Sequence, residues 1–225
     1  MSENTVDLLK PGQLESKSWA VRQEIEIPKS DNAIEDKRRI TLEGRDHNIS
    51  LVTRRLTSNP ILRGFGIPLG PIESRSDIYI LAWQTLKDRG MPVVDTVRKI
   101  DNSQVATTDL VANGYSVYDA KLDSQFNRES IPADKSFAEI PLEEIEKRAN
   151  HVLEEANRQG IYLPKDGLLH IAVKNSEDWK LVLLDINDVL ICKDQNKIPE
   201  SWKEENADHT RMWLRQIRRI QDRLR

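Results

Sequence analysis

Apolar and polar positions follow a two-residue alternation in several early segments and a 3.6-residue recurrence in the longest later ones. From Ser18 to Ile27, Val21, Ile25 and Ile27 alternate with Ala20, Arg22, Glu24 and Glu26, with Gln23 out of step, and the segment reads as a strand. Arg39 to Glu43 and Ile49 to Leu56 read as two more strands, with Gly44, Asp46 and Asn48 as turn residues between them. Asn59 to Pro71 is a loop rich in glycine and proline. Ser74 or Ser76 caps a helix that runs to about Arg89, with Ile78, Leu81, Ala82 and Leu86 on one face. Gly90 stops that helix and Pro92 cannot continue it. Val93 to Ile100 and Gln104 to Thr108 read as strands joined by Asp101-Asn102-Ser103, and Asn113-Gly114 marks another turn.

Asp119 to Ile140 is polar and irregular and reads as a linker. Pro141 to Gln159 is the clearest helix. Proline suits its first turn, Glu143 and Glu144 favour its positive end, and Gly160 terminates it. Its buried stripe is Leu142, Ile145, Ala149, Val152, Leu153 and Ala156. Leu168 to Val173 and Lys180 to Leu184 form a hairpin across Asn175-Ser176-Glu177-Asp178, and a last helix runs from about Glu204 to Arg225. The pattern predicts an α+β fold. Residues 1–17 form an arm, 18–118 a small antiparallel sheet with one helix, 119–140 a linker, and 141–225 a helical region with a β-hairpin.

Composition narrows the class. The 225 residues are 38% hydrophobic and 32% charged, which fills a core and excludes global disorder. A net charge of −3 gives no overall attraction for nucleic acid or anionic lipid. The single cysteine, Cys192, excludes an internal disulfide and a cysteine-rich zinc site, and reads as a buried or semi-buried thiol. Residues 1–11 carry acidic residues and no apolar run, so no signal peptide is expected, and no segment is apolar for long enough to span a bilayer. The expectation is a cytoplasmic globular protein without a membrane partner. His47, His151, His170 and His209 lack zinc spacing. His151 reads as a packed residue, and His170 is notable for its nearness to Asp166. Gly64-Phe65-Gly66-Ile67-Pro68-Leu69-Gly70 has neither dinucleotide spacing nor a Walker lysine, and reads as a connection.

The chemistry concentrates between Gly160 and Asp188. Asp166 lies in a loop after the long helix, and Asp185 follows the apolar run Leu181-Val182-Leu183-Leu184. A hairpin brings its outer ends together, so the two carboxylates are candidates for holding a hard cation, or for one to act as base while the other binds metal. The structural alternative is a turn at Asp166-Gly167 and a strand-ending Asp185.

The order of elements is three strands, a helix, two strands, a linker with Thr107-Thr108-Asp109-Leu110, a long helix, the Asp166 loop, a hairpin and Asp185-Ile186-Asn187. From Ile49 to Asp188 this order resembles the protein-kinase-like superfamily. The resemblance implies a bilobal fold, with Asp166 as catalytic base, Asp185 as magnesium ligand, and Arg54 or Arg55 near the position of the phosphate-holding lysine. The chain departs from the pattern at several points. Pro28 to Lys37 contains no glycine, the helix from Ser76 to Arg89 contains no glutamate, and Gly167-Leu168-Leu169-His170-Ile171 stands where family members carry an asparagine.

Those departures imply a kinase-like binding or scaffolding protein, a pseudokinase with no cofactor. The alternative is a divergent phosphotransferase using Mg and ATP. A third expectation rests on the last helix, where Trp213, Ile217, Ile220 and Leu224 recur at coiled-coil spacing among Arg211, Arg215, Arg218, Arg219, Arg223 and Arg225. The helix reads first as a docked one with a solvated basic face; the sharper expectation makes Trp213, Arg215, Arg218 and Arg219 contacts for another, acidic protein or a self-association seam. Nucleic-acid phosphate is the less favoured occupant, since few aromatics are available for base stacking.

Overall fold

The computed structural model describes residues 20–26, 38–43, 48–56, 74–120, 135–164, 169–184, 186, 189–192, 194 and 198–225. The N-terminal arm, the Pro28–Lys37 loop, the Gly64–Gly70 segment and residues 121–134 of the expected linker lie outside them.

The described residues make a mixed α+β fold with three small antiparallel sheets and four helices. The first sheet has the order β1-β2-β3-β5-β4, built from β1 (Ala20–Glu26), β2 (Arg38–Glu43), β3 (Asn48–Arg55), β4 (Val97–Lys99) and β5 (Gln104–Thr108). The ladder between β1 and β2 shifts register between Val21 and Gln23.

Helix α1 (Arg75–Asp88) connects β3 to β4. Ser74 is its cap, with Oγ accepting from the Asp77 amide at 3.2 Å. Ser76 is instead fully buried, and its hydroxyl donates to the carbonyls of Asp101 and Gln104. The buried stripe is Tyr79, Ala82, Trp83 and Leu86, an i, i+3, i+4, i+7 set. Leu81, expected on that face, is 41% exposed. Trp83 decides the rotation of the helix, because its indole N–H donates to the Val94 carbonyl at 2.8 Å under β4. Gly90 ends the helix in the left-handed region at φ 75°, as its position predicts.

The second sheet, β6-β8-β9, joins β6 (Ser116–Asp119) to the hairpin of β8 (Leu169–Val173) and β9 (Trp179–Leu183). The sequence pattern missed β6, which is only 4 residues long and runs into the expected linker. Within that linker α2 (Ser136–Glu139) places Phe137 against Tyr118, with ring centroids 4.3 Å apart and both rings fully buried.

Helix α3 (Leu142–Arg158) buries Ile145, Ala149, Val152 and Ala156, four of the six residues expected. His151 is exposed rather than packed, because it lies off that stripe. Two residues after α3 the chain enters β7 (Ile161–Tyr162), which pairs with β10 (Leu190–Ile191) in the third sheet.

Helix α4 (Glu200–Leu224) begins four residues before the Glu204 start expected. Pro199 precedes it, and Glu200 and Lys203 pair across its first turn at 2.7 Å. The two halves of the chain are joined directly. The Leu183 amide donates to the Pro92 carbonyl at 2.7 Å, Val93 bridges Leu183 in parallel, and Arg89 donates to the Gln159 carbonyl at 2.5 Å. Buried apolar side chains from Leu56 in the first half to Ile220 in the last helix form one cluster.

Candidate functional site

Two ladders bracket the segments that carry the candidate acids. Leu169 pairs with Leu183 at the open end of the β8-β9 hairpin, and Tyr162 pairs with Leu190 between β7 and β10. The segment with Asp166 therefore connects Tyr162 to Leu169, and the segment with Asp185 connects Leu183 to Leu190. Asp166 and Asp185 themselves lie outside the described residues.

Helix α4 holds both ends of the first segment. Asn206 is fully buried; its Oδ1 accepts from the Leu163 amide at 2.7 Å, and its Nδ2 donates to the Ile161 carbonyl and Asn157 Oδ1, each at 2.9 Å. One turn on, His209 Nδ1 lies 2.9 Å from the Leu163 carbonyl. At the far end the Trp213 indole donates to the Leu169 carbonyl at 2.8 Å. Nearer the C-terminus, Gln221 Nε2 donates to the carbonyls of Phe137 and Ile140 at 2.8 and 3.0 Å. These polar residues lie on the apolar stripe of α4, where each satisfies backbone groups that burial would otherwise leave unpaired.

This placement revises the partner-binding expectation for Trp213. It is 6% exposed and belongs to the core, because its indole spans from α4 to β8. Arg215, Arg218 and Arg219 are exposed on the outer face, as expected. Arg218 reaches Glu146 of α3 at 3.0 Å and Arg211 pairs with Asp208, so part of the arginine charge is neutralised locally.

Outside the ladder that closes on Tyr162, its phenol donates to Glu205 at 2.7 Å and its ring packs on Trp202 and His209. Burial and the Glu205 carboxylate push this phenol up to about 12. Cys192 is buried as expected, and its amide donates to the Gly160 carbonyl at 2.7 Å. Burial pushes the thiol up despite the nearby Arg89 guanidinium.

Arg54 and Arg55 are backbone members of β3, in register with Val105 and Gln104; their side chains lie outside the described ones. The link between α1 and the sheet that sequence reasoning missed is Lys99 of β4, whose Nζ lies 2.9 Å from Asp77. Both side chains are about one-third exposed (34% and 36%), so the pair fixes geometry more than it stabilises.

On β8, His170 stands in register with Asp119 of β6, and its Nε2 lies 3.4 Å from the Asp119 carboxylate. Its Nδ1 is buried without a hydrogen-bond partner. Among the described residues no group of three or more His, Cys, Asp or Glu side chains could hold a metal ion, and no helix is long and apolar enough to cross a membrane. No protein-family model, curated protein or solved structure matches this chain.

Proposed function

We propose that this chain is a kinase-like module that binds a protein partner rather than catalysing phosphoryl transfer. The observation that carries the reading is the pair of ladders around the Asp166 and Asp185 segments, preceded by a five-stranded sheet with its helix inserted between β3 and β4. This is the order of elements on which the resemblance to the kinase-like superfamily rests. The bilobal arrangement is part of the same proposal. Phosphoryl transfer depends on positioning and charge neutralisation, and this chain lacks the glycine-rich loop, strand lysine and helix glutamate that supply them. Residues 27–37, which connect β1 to β2, contain no glycine. The exposed arginines of α4, Arg215 above all, offer the partner a basic face.

The second reading is a divergent phosphotransferase with Asp166 as base, Asp185 as magnesium ligand, and Arg54 or Arg55 on phosphate. Its support is that both acid-bearing segments leave the hairpin from one end. Thermal melting of the full chain with ATP and magnesium separates the two. The binding reading expects no shift. A ligand at a hundred times its Kd would stabilise by about 2.7 kcal/mol, and such a shift, abolished in Asp185→Ala, would overturn it in favour of phosphoryl chemistry.

A further inference from the structure

We propose that the outer face of α4 pairs antiparallel with the same face of a second copy of this chain, acids of one copy meeting arginines of the other. This rests on the reading of that face as a partner surface and names the partner; it does not rest on the kinase-like order of elements. The face is accessible. Glu204, Asp208, Arg211, Arg215 and Arg219 recur every three or four residues and are exposed, opposite buried Asn206, Thr210, Trp213 and Ile217. Asp208 and Arg211 are 68% and 67% exposed although they pair with each other. So exposed a pair is worth little, and each carboxylate has lone pairs for a second guanidinium. Among the described residues, Glu204 and Arg215 make no ion pair.

The charges on this face are arranged symmetrically. Asp208 and Arg215, Glu204 and Arg219, and Glu200 and Arg223 are each equidistant from the midpoint between Arg211 and Met212. Two copies of one surface meet about a two-fold axis, so that every contact occurs twice. With the axis at that midpoint and the helices antiparallel, each of these acids faces an arginine of the other copy, over about 34 Å of helix. A parallel arrangement sets arginine against arginine and is disfavoured. Glu205 and Arg218 share the symmetry, but each is engaged within its own chain, by Tyr162 and by Glu146.

The helix dipole does not account for the pattern. It favours Glu200 in the first turn and Arg223 in the last, and its effect fades within a turn of each end. Asp208 and Arg215 lie in the middle of α4, beyond its reach. At the axis Met212 is half-buried, and the apolar stem of Arg211 from the other copy covers it. The seam is polar and one helix wide, which places it among weak, salt-sensitive interfaces.

The test is sedimentation equilibrium of the full chain at low and high salt. At an ionic strength of about 0.01 M, where charges act over about 30 Å, mass should rise reversibly with concentration toward twice 25.9 kDa. In about 1 M salt the association should be lost. Arg215→Glu and Asp208→Arg each turn two attractions into two repulsions, and each should weaken dimerisation by about tenfold or more. An equimolar mixture of the two variants should dimerise again, because one chain then presents acids at both positions and the other presents bases. The double variant should recover self-association for the same reason. A natural chain that stays monomeric at low salt, a dimer indifferent to salt, or a mixture no more dimeric than either variant alone would each overturn the assignment. A monomeric chain that binds polyglutamate, with binding lost in Arg215→Glu, would replace the second copy by a different acidic partner and leave the binding reading standing. Neither self-association nor polyglutamate binding would overturn both.

Discussion

Asn206 shows how one side chain can fix the backbone around a candidate site. Its amide answers three groups at once: the Leu163 N–H, the Ile161 carbonyl and Asn157. Asn206→Ala leaves buried backbone groups unpaired at about 1–3 kcal/mol each, so urea denaturation should show a loss of at least about 2 kcal/mol. A loss within the range of an ordinary surface substitution, about 0.5 kcal/mol, would contradict this account. Asn206→Asp should be no better, because it sets a carboxylate oxygen against the Ile161 carbonyl. Tyr162 makes a pH-dependent contribution at the same place. Its phenol is raised from 10.0 to about 12, so the folded state keeps the proton where the unfolded state loses it. The associated stability is intact below pH 10 and lost as pH rises toward about 12. Thermal melts over that interval should decline less steeply in Tyr162→Phe than in the natural chain. Neither residue advertises its role in the sequence: an asparagine on a helix and a tyrosine two residues after a glycine acquire partners 43 positions away only through packing.

At the scale of elements, α4 is the piece whose meaning changes most. Its apolar spacing and arginines read first as a docked helix with a solvated basic face, and second as an interaction arm. Packing chooses the first: Trp213, Ile217 and Ile220 are core residues, and Thr210 and Gln221 are buried beside them. Deleting Thr210–Arg225 should therefore unfold the protein rather than uncouple a partner. Loss of a buried tryptophan alone costs about 3–5 kcal/mol, a large share of a domain's total of about 5–15. Circular dichroism should show no cooperative melt in the truncated chain; a native-like melt would restore the free-arm view. Partner binding is then probed by exposed Arg215→Glu, which leaves the core intact. Helix α1 was legible in its length, cap region and glycine stop, but not in its rotation. Alternative faces carry enough apolar residues, and the Trp83 hydrogen bond to Val94 selects one of them.

For the whole molecule, the sequence by itself determined the element types and most of their order. Strand alternation, helix periodicity and glycine stops are local, and local sterics and hydrogen bonding enforce them. Short elements escaped: β6, β7 and β10 have 4, 2 and 2 residues, too few for a period to declare itself. Tertiary structure alone decided what touches what. It placed β6 beside β8 and so brought Asp119 to His170, residues whose pairing no spacing encodes. It paired β7 with β10 and turned a hairpin flanked by acids into two bracketed segments. It also drew both halves into one apolar cluster. The physical reason is that burial is non-directional: a sequence states which residues must leave water, while the partners they meet are settled only when all the apolar faces are packed together.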